Sequence, residues 1–214
     1  MEGLGRLFFL TMKIFAIGQN YIEHNKELDQ PNPTDPIIFM KPDTALLREN
    51  KPFYIPDFSE NLHYETEILI KICRLGKNIS PRFAHRYYNE IGLGVDFTAR
   101  DLQYSLRAAG HPWEICKAFD HSAVVGRFLP KDQFSDVQNI NFHLNINEKT
   151  VQNGNTADMI FKIDEIISYI SRYFTLKMGD IIFTGTPAGV GKVSKNDRLQ
   201  GFIGYEKMFD FKIK

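Results

Sequence analysis

Three observations predict a mixed α+β fold that is mainly β. Eighteen Phe and nine Tyr make the chain 13% aromatic, a composition suited to pleated, half-buried surfaces. Strand-like apolar runs outnumber stretches of helical period and do not alternate regularly with them, which argues against a doubly wound sheet. The chain has 214 residues, 43% of them hydrophobic, enough for one sizeable core.

The elements follow in order. Residues 1–11, MEGLGRLFFLT, read as an N-terminal extension ahead of a single domain at 12–214. They hold one Arg and no small-residue cleavage site, so a signal peptide is not expected. Residues 13–17 read as a strand. The Pro-rich stretch 30–36 is a loop leading into a strand at 37–40. Residues 64–73 alternate, with Thr66, Ile68, Ile70 and Ile72 on one face. Ser80-Pro81 marks a helix start, with the helix running to about Glu90 and stopping at Gly92 and Gly94. A strand at 95–99 and a helix at 101–109 come next, the helix ended by Gly110. Residues 142–152 read as a hairpin turning at Asn147-Glu148-Lys149. Residues 156–174 carry the clearest helical period, with Ile160, Ile163, Ile167, Ile170 and Phe174 at three- and four-residue steps. Strands close the chain at 181–184 and 209–213.

Charge and cysteine content bound the function. The 26 basic and 26 acidic side chains sum to zero, without the basic surplus of a nucleic-acid binder. A disordered chain would need lower hydrophobicity and higher net charge. No apolar run approaches the ~20 residues of a membrane-spanning helix, so neither nucleic acid nor membrane is an expected partner. Cys73 and Cys116 are too few for a disulfide framework, which fits a reducing cytoplasm.

Several constellations bear on chemistry. Residues 185–192, GTPAGVGK, imitate a phosphate loop. Five residues, not four, separate Gly185 from Gly191, however, and Val193 replaces the required hydroxyl residue. The stretch is a plain turn or a place where backbone approaches a ligand closely. Glu65 and Glu67 are two apart on a strand and share a face; they are either a solvated edge or a pair bridged by a hard cation. Asp96 sits in the apolar frame Gly94-Val95-Asp96-Phe97, costly for a carboxylate unless it is capping, paired or ligating. The three would suit magnesium, manganese or calcium. His24 and Glu27 share a face if their segment is helical. That is either a surface pair or a carboxylate raising an imidazole's basicity, as a general base requires. Arg100, Gln103 and Lys117 follow Asp96, and basic groups near a metal neutralise anionic substrates. Trp113 and Phe119 are expected in the core.

Taken together these segments resemble the fumarylacetoacetate hydrolase family over residues 13–213. The matching pieces, in order, are Gly18-Gln19-Asn20-Tyr21 with His24 and Glu27; Phe39-Met40-Lys41-Pro42; Tyr64-Glu65-Thr66-Glu67; and residues 96–103, DFTARDLQ. They continue with 113–120, WEICKAFD; 156–161, TADMIF; and 179–191, GDIIFTGTPAGVG. The resemblance implies a mixed β-sandwich roll, usually a homodimer, with Glu65, Glu67 and Asp96 binding magnesium or manganese and Lys117 beside the metal. It implies that His24 and Glu27 are the family's water-activating pair on a lid segment, and that Arg100, Gln103 and Thr186 lie near the substrate. The chain departs from the family in its shorter ending, around residues 195–201 and 209–212, and at His121-Ser122-Ala123.

The expected activity is metal-dependent cleavage of a carbon–carbon bond in an acylpyruvate-type 2-oxo acid, with enolpyruvate leaving. Glu27 would orient His24, and His24 would deprotonate the attacking water. Decarboxylation and isomerisation of related 2-oxo acids share the same electron sink and remain alternatives, as does a metal- or small-molecule-binding protein without catalysis.

Overall fold

The computed structural model describes residues 12–214; the expected extension at 1–11 lies outside the described residues. In chain order the elements begin β1 (Ile14–Gly18), α1 (Ile22–Glu27), β2 (Ile37–Lys41), β3 (Leu46–Leu47), β4 (Leu62–Tyr64) and β5 (Thr66–Ile72). They continue α2 (Pro81–Ala84), β6 (Tyr88–Asp96), β7 (Thr98–Ala99), α3 (Arg100–Ala109), α4 (Glu114–Lys117) and β8 (Ala123–Pro130). The chain closes with β9 (Asn141–Ile146), β10 (Lys149–Asn155), α5 (Ile163–Tyr173), β11 (Ile181–Phe183), β12 (Gly191–Lys192), β13 (Arg198–Ile203) and β14 (Glu206–Lys212).

Seven strands form one mixed sheet in the order β2-β1-β11-β5-β6-β8-β3. The pairs β1/β11 and β3/β8 are parallel, and the others antiparallel. A four-stranded antiparallel sheet, β10-β9-β13-β14, packs across it, and β12-β4-β7 form a third, small sheet. The core lies between the two larger sheets. Ile68, Ile70, Leu93 and Val95 on one side meet Phe142, Leu144, Phe209 and Phe211 on the other, and α5 adds Ile163, Ile166, Ile167 and Ile170. The opposite face of β1, β5 and β11 buries Ile14, Ala16, Leu69, Ile181 and Phe183. The mainly β, α+β reading therefore holds. The alternation in β5 correctly assigns Thr66, Ile68, Ile70 and Ile72 to one face, although the other face is covered too.

Two helices differ from expectation. The helix at 81–90 is a single turn, α2, and Tyr88 onward joins the long strand β6. Gly92 and Gly94 are not stops but strand positions. A Cβ on Gly94 would lie 2.3 Å from the Val124 carbonyl oxygen of neighbouring β8, so the close approach of that backbone requires glycine. The helix at 156–174 begins only at Ile163, after a 3-10 turn at Thr156–Asp158. The earlier backbone is held elsewhere: the Ile160 and Phe161 amides donate to the Asn20 carbonyl and side-chain oxygens at 2.9 and 2.7 Å. The Thr156 hydroxyl donates to Val137 O at 3.0 Å. Local helical period loses to these long-range bonds.

Candidate functional site

The sheet brings three carboxylates together. Glu65 occupies the break between β4 and β5, Glu67 follows on β5, and Asp96 ends β6, its amide bonded to the Glu65 carbonyl at 2.8 Å. One oxygen from each lies within 4.8 Å of the others, and all three are buried. The stretch 64–73 is thus two strands, not one, with the interruption at a candidate ligand.

Buried cations surround this cluster unevenly. Lys117, on α4, donates to Glu65 Oε2 at 2.7 Å, Asp96 Oδ2 at 2.8 Å and Thr98 Oγ1 at 2.6 Å. Arg100, opening α3, donates to Glu65 and to the Gln103 amide oxygen. Burial pushes the Glu65 carboxyl up, but the Lys117 and Arg100 charges more than reverse this and hold it well below the usual range. Burial lowers Lys117, yet Asp96 and Glu65 raise it further and keep it protonated. Glu67 differs. It accepts the Gly185 amide at 2.6 Å and has no cation paired with it among the described residues. Burial, then the neighbouring charges of Asp96 and Glu65, push its carboxyl well up. An all-oxygen set with one uncompensated buried member fits a hard divalent cation.

His24 and Glu27 do share a helix, α1, with Nδ1 and Oε2 at 3.4 Å. Glu27 also accepts the Gly189 amide, at 3.1 and 3.2 Å to its two oxygens. Burial raises the Glu27 carboxyl, but the His24 and Gly189 hydrogen bonds outweigh that and lower it. Gly189 has φ +96°, and a Cβ there would meet the Val151 carbonyl at 2.5 Å, so the loop shape that presents this amide requires glycine. The phosphate-loop imitation is therefore a loop whose Gly185 and Gly189 amides hold two site carboxylates.

A cleft lined by His24, Glu65, Glu67, Asp96 and Lys117 also reaches Arg100, Gln103 and Thr186. Eight of the nine expected site residues line it; Glu27 does not, and lies against His24 Nδ1 instead. The Thr186 hydroxyl is engaged, donating to Thr66 O at 3.0 Å and accepting from Gln152 Nε2 at 2.9 Å. Trp113, expected in the core, is only partly buried and lines the cleft against Phe39. Phe119 packs against the core as expected.

Sequence reasoning missed three residues. The Lys41 ammonium is fully buried, 2.6 Å from Asp96 Oδ1 though poorly aligned for a hydrogen bond, and donates to Ser122 Oγ at 3.0 Å. Burial pulls it down, partly offset by Asp96. A charge ending the apolar run Ile37-Ile38-Phe39-Met40 was the signal available. His63 Nδ1 accepts from Arg100 Nε at 3.4 Å while Nε2 faces Asn61 Oδ1 at 3.0 Å. Because Asn61 Oδ1 only accepts, the proton sits on Nε2 and the Nδ1 lone pair faces Arg100. Gln152, on β10, accepts the Thr66 amide at 3.0 Å and donates to Thr186 and Pro187, tying the loop to β5. No local pattern marks the last two.

Comparisons with known proteins place the fold and the family. A family model described as "Fumarylacetoacetate (FAA) hydrolase C-terminal" matches residues 13–204. The mitochondrial oxaloacetate tautomerase of Bos taurus is 37% identical over 211 residues, covering 99% of this chain and 96% of that protein. An oxaloacetate tautomerase of Escherichia coli K12 is 39% identical over 194 residues, covering 90% and 89%. A crystal structure of fumarylpyruvate hydrolase from Pseudomonas aeruginosa, in complex with Mn2+ and pyruvate, superposes with a TM-score of 0.89 at 32% identity, covering 95% of this chain and 89% of that one.

Proposed function

The chain belongs to the fumarylacetoacetate hydrolase family and is an enzyme, and we propose that it interconverts the enol and keto forms of oxaloacetate or a closely related 2-oxo acid. The observation that carries this reading is the cleft in which three buried carboxylates face His24, itself backed by Glu27. Identities of 37% and 39% to oxaloacetate tautomerases, over 99% and 90% of this chain, support it over the hydrolysis that sequence motifs favour.

Glu65, Glu67 and Asp96 would hold Mg2+ or Mn2+, which when bound supplies a Lewis acid for the carboxylate and 2-oxo group of the substrate. The protein's own residues handle the proton and the surrounding charge. With Nδ1–H donating to Glu27, His24 presents its Nε2 lone pair to the cleft. Nε2 takes a proton from C3 of the keto form and, as the imidazolium, delivers it to the C2 oxygen of the resulting enolate; the reverse sequence regenerates the keto form. Glu27, fixed by the Gly189 amide, stabilises the imidazolium in between. Lys117 and Arg100 place positive charge beside the oxygens on which negative charge develops.

Hydrolysis of an acylpyruvate is the second reading, favoured by the same His24–Glu27 pair acting on water and by the 32% identity to a fumarylpyruvate hydrolase. Oxaloacetate tautomerisation and acetylpyruvate hydrolysis, each assayed with and without Mg2+, separate the two. The first reading predicts metal-dependent tautomerisation that His24→Ala abolishes without loss of metal affinity. Hydrolysis without tautomerisation selects the second, and neither activity contradicts both. The reading includes a homodimer of 12–214 domains, tested by light scattering.

A further inference from the structure

Helix α3 carries residues towards the cleft that the proposed chemistry does not use. Arg100, Gln103 and Arg107 are spaced i, i+3, i+7 and share one face of the helix, and all three line the same cleft as the carboxylates. Arg100 is bound to Glu65. The Arg107 guanidinium has no carboxylate partner among the described residues. It donates instead to the neutral side-chain oxygen of Gln30, in the loop after α1, and lies 5.7 Å from the Trp113 ring centroid. Burial, and then the Arg100 charge, both disfavour this cation. A half-buried guanidinium facing a cleft, beside an aromatic ring and bonded to an amide oxygen, is poised to exchange that amide for an anion.

We infer that Arg107 receives the distal carboxylate of a 2-oxo dicarboxylic acid and so selects dicarboxylic over monocarboxylic substrates. The assignment rests on the proposed reading, in which the other end of the substrate is held at Glu65, Glu67 and Asp96. A bound dicarboxylate would displace Gln30 from Arg107, so that the same guanidinium contacts either the loop after α1 or the ligand.

The test compares ligands that differ in this group: oxaloacetate and fumarylpyruvate against pyruvate and acetylpyruvate, with Mg2+ present throughout. Arg107→Gln should raise KM or Kd for the dicarboxylates about tenfold or more, leaving those for the monocarboxylates within about twofold. Arg107→Lys, which keeps the charge, should recover most of the preference. Gln30→Ala, which removes the amide but not the cation, should keep it in full. Equal losses for both ligand classes in Arg107→Gln, or no loss for either dicarboxylate, would overturn the assignment while leaving the functional reading intact. If the unaltered enzyme neither binds nor turns over any of the four ligands, the functional reading falls and the inference with it.

Discussion

Lys117 Nζ is buried and shared by Glu65, Asp96 and Thr98, so its removal leaves two carboxylates and a hydroxyl without their common donor. Breaking such a buried network by deleting one partner costs about 3–5 kcal/mol. Lys117→Met should therefore lower the unfolding free energy of metal-free protein by about that amount. Mn2+ should restore more stability to the variant than to the parent, because without the Lys117 charge beside Glu65 and Asp96 the native state binds the cation more tightly. Denaturant unfolding with and without Mn2+ measures both. At this scale the three buried carboxylates were conspicuous because charge in apolar strands is costly: Asp96 stands in an apolar frame and Glu65 and Glu67 share a strand face, although the solvated-edge alternative stayed open until the family resemblance implied a ligand role. His63 and Gln152 were not legible, because their contacts join positions 37 and 86 residues apart. Sequence spacing carries no trace of such pairs.

Among the elements, the loop at 185–191 does the least by its own composition and the most by where it is tied. Gln152 holds it to β5 through Thr66, Thr186 and Pro187, and the loop in turn holds Glu67 and Glu27. Gln152→Leu leaves the buried Thr66 amide unpaired, a cost of about 1–3 kcal/mol. It should also lower kcat more than it raises KM, since it displaces the support of the proposed proton-handling pair; denaturant unfolding and steady-state kinetics check the two effects. The hairpin of β13 and β14 offers a pH test away from the site. Asp210 accepts two bonds from Arg198 at 2.8 Å and one from Lys207 at 2.9 Å. The Arg198 bonds lead in holding its carboxyl well below the ordinary 3.8. A depressed carboxylate contributes stability that is present above about pH 4 and is lost as pH falls below it. Asp210→Asn should thus flatten the acid limb of a stability–pH curve below pH 4, leaving its neutral region parallel to that of the parent. The elements most legible in sequence were those decided locally, such as α3 with its Gly110 end and the hairpin turning at Asn147-Glu148. Residues 85–94 and 156–162 were misread where contacts with distant segments overrode local signals.

Across the whole molecule, equal numbers of acids and bases conceal a sorted interior. Acids gather at the ends of β5 and β6, while Lys41, Lys117 and Arg100 converge on them from β2, α4 and α3. The composition announced strands, and ordered motifs announced the family, but the convergence itself is a property of the seven-stranded sheet order, in which β5 and β6 are neighbours. The central claim is that this convergence builds one divalent-cation site. Mn2+ titration of the metal-stripped protein, followed by electron paramagnetic resonance, tests it most directly. The account predicts one Mn2+ per chain, with binding lost in Glu67→Gln and Asp96→Asn and retained in His24→Ala. Undiminished Mn2+ binding by a variant lacking Glu65, Glu67 and Asp96 together would contradict it.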